Sequence, residues 1–287
     1  MKSFEYIRPN SMGEAFQALG AYDNPFVLAG GTDLLVWMKR DVHVPECVVD
    51  LKGIPDLNSI RYEDGFRFGA LTTVREVETS LLVREKIPTL CEAAGSLGSV
   101  QIRNRATIGG NLCNASPAAD MAAILLALDA EVTVASPKGE KMVPLNEFFA
   151  GPQQTVLAKE EVLSEITIPT ATEACKGVYL KHGPRKAMDI GTVNIAILLD
   201  ADSESHCCNQ IRISLGAVAP TPMRAGEAEA LAQGKTLTPE VIREVAETAA
   251  GEANPISDFR ASADYRRELI KGLVAKGISK ILENGRT

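Results

Sequence analysis

The sequence predicts an α+β protein in two parts, and three observations carry that prediction. Up to about residue 170, short apolar runs alternate with helix-like stretches, in units small enough to be two α/β subdomains at about 1–54 and 55–170. After Pro169 the texture changes to three longer strand-like runs separated by turn residues. Three helical stretches then close the chain, whose 287 residues suffice for two or three cores. The expected domains are therefore 1–170 and 171–287.

Taken in order, Ser11-Met12-Gly13-Glu14 has the form of a capping box, opening a helix that ends near Gly20. Phe26 to Ala29 is a strand, Asp33 to Arg40 a helix and Cys47 to Leu51 a second strand, a small β-α-β unit. Met38 and Trp37 within LLVWMK are expected in the helix core. Phe66 to Gly69 alternates as a strand, and Thr73 caps a helix running towards Lys86. Pro88 starts another helix, near Thr89 to Leu97. Gly98 to Pro117 is a long irregular stretch with one proline and several aliphatic residues, a length that points to function. Ala118 to Leu128 is an apolar helix; Glu131 to Ala135 and Leu163 to Ile168 are strands. In the second part, strands are expected at Gly177–Lys181, Thr192–Leu199 and Gln210–Ala219. Helices follow after Pro222, over Pro239–Gly251 and over Ala263–Glu283.

A net charge of -7 without a basic stripe argues against a nucleic-acid partner. MKSFEYIRPN lacks the apolar segment of a secretory signal, and the longest apolar run, Met121 to Leu128, is too short to span a bilayer. A cytoplasmic protein without membrane insertion is expected. Six scattered cysteines without C-x-x-C fit a reducing compartment, and three histidines without a cluster predict no metal site.

Two glycine-containing stretches carry the chemistry. In Val27-Leu28-Ala29-Gly30-Gly31-Thr32-Asp33-Leu34 the glycines allow positive φ and leave no Cβ in the way, so successive N–H groups can form a nest for an anion. The same residues also suit a plain strand-to-helix turn with Asp33 as cap, or Asp33 could take a donor on a ligand. Thr107-Ile108-Gly109-Gly110-Asn111 is the second, leading to Asp120, whose carboxylate could accept from sugar or polyol hydroxyls or simply open its helix. Two such turns suggest one long phosphate-bearing ligand held from two sides. Arg103 and Arg105 bring charge to the second turn, either as a solvated surface or as a contact to phosphate or a partner. Gly234-Lys235-Thr236 lacks the earlier glycine of a phosphate-binding loop, and neither G-x-G-x-x-G nor G-x-S-x-G occurs.

Together AGGTDLL, QIRNRATIGGNLCNASPAAD, LSEITIP and YLKHGPRKAMDIGTVN resemble the FAD-binding medium subunits of the molybdenum hydroxylases, the xanthine dehydrogenase and carbon monoxide dehydrogenase family. The resemblance implies a PCMH-type FAD-binding domain and a C-terminal domain with a three-stranded antiparallel sheet and a helical bundle. It implies FAD, with Val27 to Leu34 around the pyrophosphate and Thr107 to Asn111 as a second amide clamp. Asp120 would meet ligand hydroxyls, Leu163 would pack by a ring, and Lys181 would reach the flavin end; His182 and Arg185 lie close enough to substitute. Leu97 stands where eukaryotic members place an aromatic, and no insertion for a [4Fe–4S] cluster is present.

By the same resemblance the partners are a molybdopterin-binding large subunit and a [2Fe–2S] small subunit. FAD would collect electrons and pass them to an acceptor such as NAD or quinone. No catalytic residue is expected. The alternatives are a standalone FAD-dependent oxidoreductase or a non-catalytic nucleotide-binding scaffold.

Overall fold

A first unit packs two helices against a parallel sheet. The computed structural model describes residues 1–170, 175–185 and 188–284. β1 (Glu5–Ile7), α1 (Met12–Ala21), β2 (Pro25–Leu28), α2 (Leu34–Lys39) and β3 (Cys47–Asp50) form it, with both outer strands parallel to the central β3. Ser11 caps α1 by accepting from Glu14 N–H, while the Glu14 carboxylate reaches back one residue further than a capping box requires, to Asn10 N–H. Because β3 is central, CVVD is buried on both faces, which is why it reads as an unbroken apolar run.

The second unit runs from β4 (Ile60–Tyr62) and β5 (Gly65–Gly69) through the helices α3 (Val74–Thr79), α4 (Leu81–Lys86), α5 (Pro88–Ser96), α6 (Val100–Arg103), α7 (Ile108–Cys113) and α8 (Asp120–Ala127). It continues with β6 (Glu131–Ser136), β7 (Gly139–Pro144), α9 (Leu145–Phe148), the small hairpin β8 (Phe149–Gly151) and β9 (Gln154–Thr155), and β10 (Val162–Pro169). Its main sheet, in the order β4-β5-β10-β6-β7, is antiparallel throughout. The expected helix from Thr73 to Lys86 is two helices. Thr73 caps the first in a full capping box, and Ser80 in extended conformation ends it and caps the second. The stretch 98–117, expected to be irregular, contains α6 and α7. Each is a turn or so long, too short to show a 3.6-residue period.

The third unit is the antiparallel sheet β11 (Lys176–His182), β12 (Val193–Ala201), β13 (Cys208–Gly216) and β14 (Met223–Arg224), covered by α10 (Gly226–Ala232), α11 (Pro239–Glu252) and α12 (Ala263–Asn284). β14 adds a fourth, two-residue strand to the three expected. One face of this sheet packs on α11 and α12 through Val178, Ile195, Ile197 and Ile213; the other gives Tyr179, Ala196 and Leu198 to the core built around α5 and α8. β12 is thus apolar on both faces. Across this contact the buried Arg212 pairs with Asp129 at 2.6 Å, and Arg224 joins Asp129 to Glu229. The expected boundary after residue 170 falls on 171–174, outside the described residues, as do Lys186 and Ala187. Among the described residues no helix is long and apolar enough to cross a membrane.

Candidate functional site: a cleft between three units

A cleft of about 790 Å³ runs between the first unit, α6–α8 of the second and the chain following β11 in the third. Both glycine stretches face it. Of the residues expected at the site, Val27, Ala29, Gly30, Gly31, Thr32, Asp33, Leu34, Thr107, Gly109, Gly110, Asn111, Asp120 and Leu163 line it, whereas Leu28, Ile108 and Lys181 do not. Leu28 packs beneath the first turn, and Ile108 is wholly buried in the core of the second unit.

The first turn is built so that its amides stay free. Gly31 has φ +74°, a conformation that favours glycine. Gly30 lies so close to the backbone carbonyl of Arg105 that a Cβ there would collide with it; the first turn therefore touches the backbone that leads into the second glycine stretch. The Ala29 carbonyl accepts from Lys52 Nζ at 2.9 Å, and Lys52 is itself held by Asp50, which also accepts from the Tyr6 hydroxyl. The N–H groups of Gly30, Gly31, Thr32 and Asp33 find no acceptor among the described residues. Asp33 occupies the cap position but takes no capping hydrogen bond: its backbone is already helical, which carries the carboxylate away from the first-turn N–H groups.

The second stretch behaves differently from the amide clamp expected of it. Gly109-Gly110-Asn111 is the first turn of α7, capped by Thr107, whose hydroxyl accepts from Gly110 N–H at 3.0 Å. Ile108 and Gly109 donate to the carbonyls of Thr72 and Ala70. These amides are consumed by the scaffold and are not available to a ligand. The glycines serve close packing: a Cβ on Gly109 would sit 2.7 Å from Ala70, and one on Gly110 2.7 Å from the Thr107 hydroxyl. What α7 presents instead is side-chain amides. The Oδ1 atoms of Asn111 and Asn114 are buried without a hydrogen-bond partner among the described residues, and both residues line the cleft.

Asp120, on the cleft wall, belongs to a buried polar cluster from two units. Asp120 is 8% exposed and accepts from Tyr179 Oη at 2.8 Å on one oxygen and from Lys181 Nζ at 2.8 Å on the other. Lys181 also donates to the Ser96 carbonyl. Burial pushes the Asp120 carboxyl up, against the pull of Lys181 and Tyr179, and pushes the Tyr179 phenol well up. Lys181 therefore approaches the cleft through Asp120. His182 instead meets the Tyr265 hydroxyl, and Arg185 pairs with Asp189; neither lines the cleft. Arg103 is neither a solvated surface charge nor a phosphate contact: it is buried, paired two-handedly with Glu78 and donating to the Leu97 carbonyl. Leu97 itself lines the cleft.

Sequence reasoning missed Phe26, Trp37 and His43, which form an aromatic group on the cleft wall of the first unit. Met38 is in the core as expected, but its neighbour Trp37 is not; helical rotation of about 100° per residue separates them. Asn114 and Ser116 were also missed, since α7 was not visible as a helix. Apart from His43, the titratable side chains on the wall are Asp33, Asp120, Glu161, Asp189 and Cys113; neither lysine nor arginine lines it among the described residues.

A family model described as the FAD binding domain in molybdopterin dehydrogenase matches residues 2–171, and one described as the CO dehydrogenase flavoprotein C-terminal domain matches residues 178–281. The chain belongs to the FAD-binding medium subunits of the molybdenum hydroxylase family. Among these medium subunits it is 34% identical over 278 residues to the carbon monoxide dehydrogenase medium chain of Hydrogenophaga pseudoflava, covering 96% of each chain. It is 33% identical over 278 residues to the xanthine dehydrogenase FAD-binding subunit of Escherichia coli, covering 96% of this chain and 94% of that one. The crystal structure of quinoline 2-oxidoreductase from Pseudomonas putida 86 contains a chain that superposes with a TM-score of 0.94 at 29% identity, covering 100% of both. This chain is accordingly an FAD-binding medium subunit of the molybdenum-hydroxylase type, an oxidoreductase subunit.

The residues present fit FAD. Four free amides can take a diphosphate, the orphaned Asn111 and Asn114 oxygens can take ligand hydroxyls, and the volume lies within the roughly 300–1,000 Å³ of pockets for small molecules and cofactors.

Proposed function

We propose that this chain is the electron-transfer flavin subunit of its assembly. It takes electrons from the [2Fe–2S] clusters of a small subunit, after a molybdopterin-binding large subunit has oxidised the substrate. It passes them to an external acceptor such as NAD or quinone, in the cytoplasm. When bound, FAD supplies the conversion between single-electron and two-electron transfer. The chain's own residues bind, orient and tune it.

One observation carries this reading: a single cleft is lined by the free amides of residues 30–33, by the orphaned asparagine oxygens and by Asp120, which Lys181 holds from behind. The Val27–Leu34 turn would hold the diphosphate through N–H groups of residues 30–33, with Leu28 supporting it from beneath. The Thr107–Asn111 segment would hold ligand hydroxyls through Asn111, with Ile108 as its anchor in the core. Asp120 would accept a ligand hydroxyl, Leu163 would pack on a ring, and Lys181 would place positive charge at the flavin end, where negative charge arrives on reduction. The domains would be 1–170 and 171–287, with the flavin between them. No side chain is assigned acid or base chemistry.

The test is purification of the chain from its own cells under mild conditions. A flavin absorption spectrum should accompany it, together with a large molybdopterin-containing chain and a small iron–sulfur chain. A lone flavoprotein that oxidises small alcohols by itself would overturn the subunit reading, and a chain that neither carries nor binds flavin would overturn the flavin reading.

A further inference from the structure

Gly30 sets a problem that the chain solves from behind the cleft. The Arg105 carbonyl lies where a Cβ would stand, so close packing imposes glycine at this position. Glycine in turn leaves the peptide plane before it loosely held. Without a Cβ, the Ala29–Gly30 unit can turn over and exchange the directions of its C=O and N–H. One orientation offers an anion an N–H; the other offers a carbonyl oxygen, which repels it. A flat trans peptide points the two groups opposite ways, so whatever grips the carbonyl also aims the N–H.

The grip comes from three residues at the carboxyl end of the parallel sheet. Lys52 Nζ donates to the Ala29 carbonyl at 2.9 Å and stands 2.6 Å from Asp50 Oδ1. Asp50 ends the central strand β3 and is 3% exposed; its other oxygen accepts from the hydroxyl of Tyr6, on the neighbouring β1, at 2.6 Å. Asp50 also caps the single 3-10 turn Leu51–Gly53 by accepting from Lys52 N–H at 3.1 Å, and Arg8 donates to the Lys52 carbonyl. The lysine is thus fixed at its backbone as well as at its tip. Burial would raise the Asp50 carboxyl, but donors on Lys52 and Tyr6 bring it below its ordinary range, so it is charged at neutral pH. The relay runs from β1 through β3 to the residue that follows β2, and it ends on one peptide. Lys52 itself is not on the cleft wall, and its charge is met by Asp50.

We propose that Tyr6, Asp50 and Lys52 are positioning residues that hold the Ala29–Gly30 peptide with its N–H turned away from Lys52 and free for an anion. This rests on the flavin reading above, because FAD is the ligand whose affinity reports it. Lys52 acts through the peptide and not by its own charge. The two roles differ in sign at Asp50. Removing the Asp50 charge would help a lysine that attracts an anion through space, whereas it releases a lysine whose task is to hold a carbonyl.

The experiment titrates the full-length chain, stripped of flavin, with FAD by calorimetry. Lys52→Met should weaken FAD about tenfold, the result of reducing the competent orientation from nearly all molecules to about a tenth. Lys52→Arg, which keeps a donor for the carbonyl, should restore most of the affinity. Asp50→Asn should weaken FAD about threefold; tighter binding would overturn the positioning role in favour of charge. Tyr6→Phe, a change at an exposed side chain, should weaken FAD about twofold and decides the matter if the other variants do not fold. A crystal structure of flavin-free Lys52→Met reads the peptide directly: the Ala29 carbonyl should be turned over in some or all molecules. A peptide that keeps its orientation there would overturn the inference and leave the flavin reading standing. So would unchanged FAD affinity in Lys52→Met or, where that variant does not fold, in Tyr6→Phe. A wild-type chain that binds no FAD would overturn the flavin reading itself, a separate failure.

Discussion

At the scale of single residues, glycine has two opposite meanings in this chain. Gly30 faces the Arg105 carbonyl, and an added methyl has no flexible neighbour to displace. Gly30→Ala is expected to push the first turn away from the Arg105–Ala106 backbone, lowering stability by about 1–3 kcal/mol and FAD affinity at least tenfold. Gly272, mid-way along α12, has nothing within 4 Å of a built Cβ. Gly272→Ala should therefore stabilise by about 0.5–1 kcal/mol and leave FAD binding alone. Thermal unfolding and the flavin-to-protein absorbance ratio of both variants check this; equal effects in both would contradict it.

A second residue-scale prediction concerns Asp258. Burial would raise its pKa, but N–H groups of Arg260 and Ala261 and the guanidinium of Arg266 bring it down to about 2. The folded value is depressed, so the stabilisation is present above the unfolded value of about 3.9 and is lost as pH falls towards 2. Asp258→Asn should cost about 1 kcal/mol at pH 7, after allowance for solvent screening, and only a small fraction of that near pH 2. Urea unfolding at the two pH values reads the difference. A constant difference would assign the effect to shape, not charge.

At the scale of elements, Arg103 shows how a site is supported from behind. Its guanidinium is held by Glu78 at 2.7 and 3.0 Å and reaches the Leu97 carbonyl at 2.9 Å, tying α6 to α3 and to the end of α5. Glu78 is held below its ordinary range because Arg103 and Arg75 outweigh the effect of its burial. Glu78→Gln should cost about 3 kcal/mol by leaving a buried guanidinium without its counter-charge. It should also weaken FAD binding indirectly, because α6 leads into residues 104–111. Urea unfolding with and without FAD measures both effects; an unchanged midpoint would mean that Arg103 finds a replacement partner.

The same region shows what the sequence could and could not disclose. Elements with a full period, such as α8, α11, α12 and β12, stand out in the residue pattern. α6 and α7, at four and six residues, have no period to show, so 98–117 read as an irregular stretch and its glycines as a second amide clamp. The first turn was legible because Gly30 and Gly31 interrupt an apolar run at a strand end. Its neighbour Trp37 was not, because a six-residue helix exposes more than one face and the pattern LLVWMK does not say which side is covered. The Asp120–Tyr179–Lys181 contact joins residues 59 and 61 positions apart, a distance no local pattern records.

At the scale of the whole molecule, that contact joins the second and third units beside the cleft, and its electrostatics can be separated from its mechanics. A lysine and a carboxylate 2.8 Å apart form a nearly neutral pair beside the proposed flavin end. Removing one member leaves the other's charge. Where the pH lies above the raised pKa of Asp120, Lys181→Met leaves net negative charge, which opposes the electrons that reduction brings, so the flavin midpoint potential should fall. Asp120→Asn leaves the ammonium in excess, so the potential should rise. A differential interaction of about 1.4 kcal/mol corresponds to about 30 mV in each direction for a two-electron couple. Both variants loosen the same interface, so damage to packing alone would move the two potentials the same way and lower both melting temperatures. Opposite shifts, with the double variant between them, are the signature of charge acting on the bound cofactor. Spectroelectrochemical titration of the three variants distinguishes the cases, and shifts of one sign would reduce the pair to a bolt between domains.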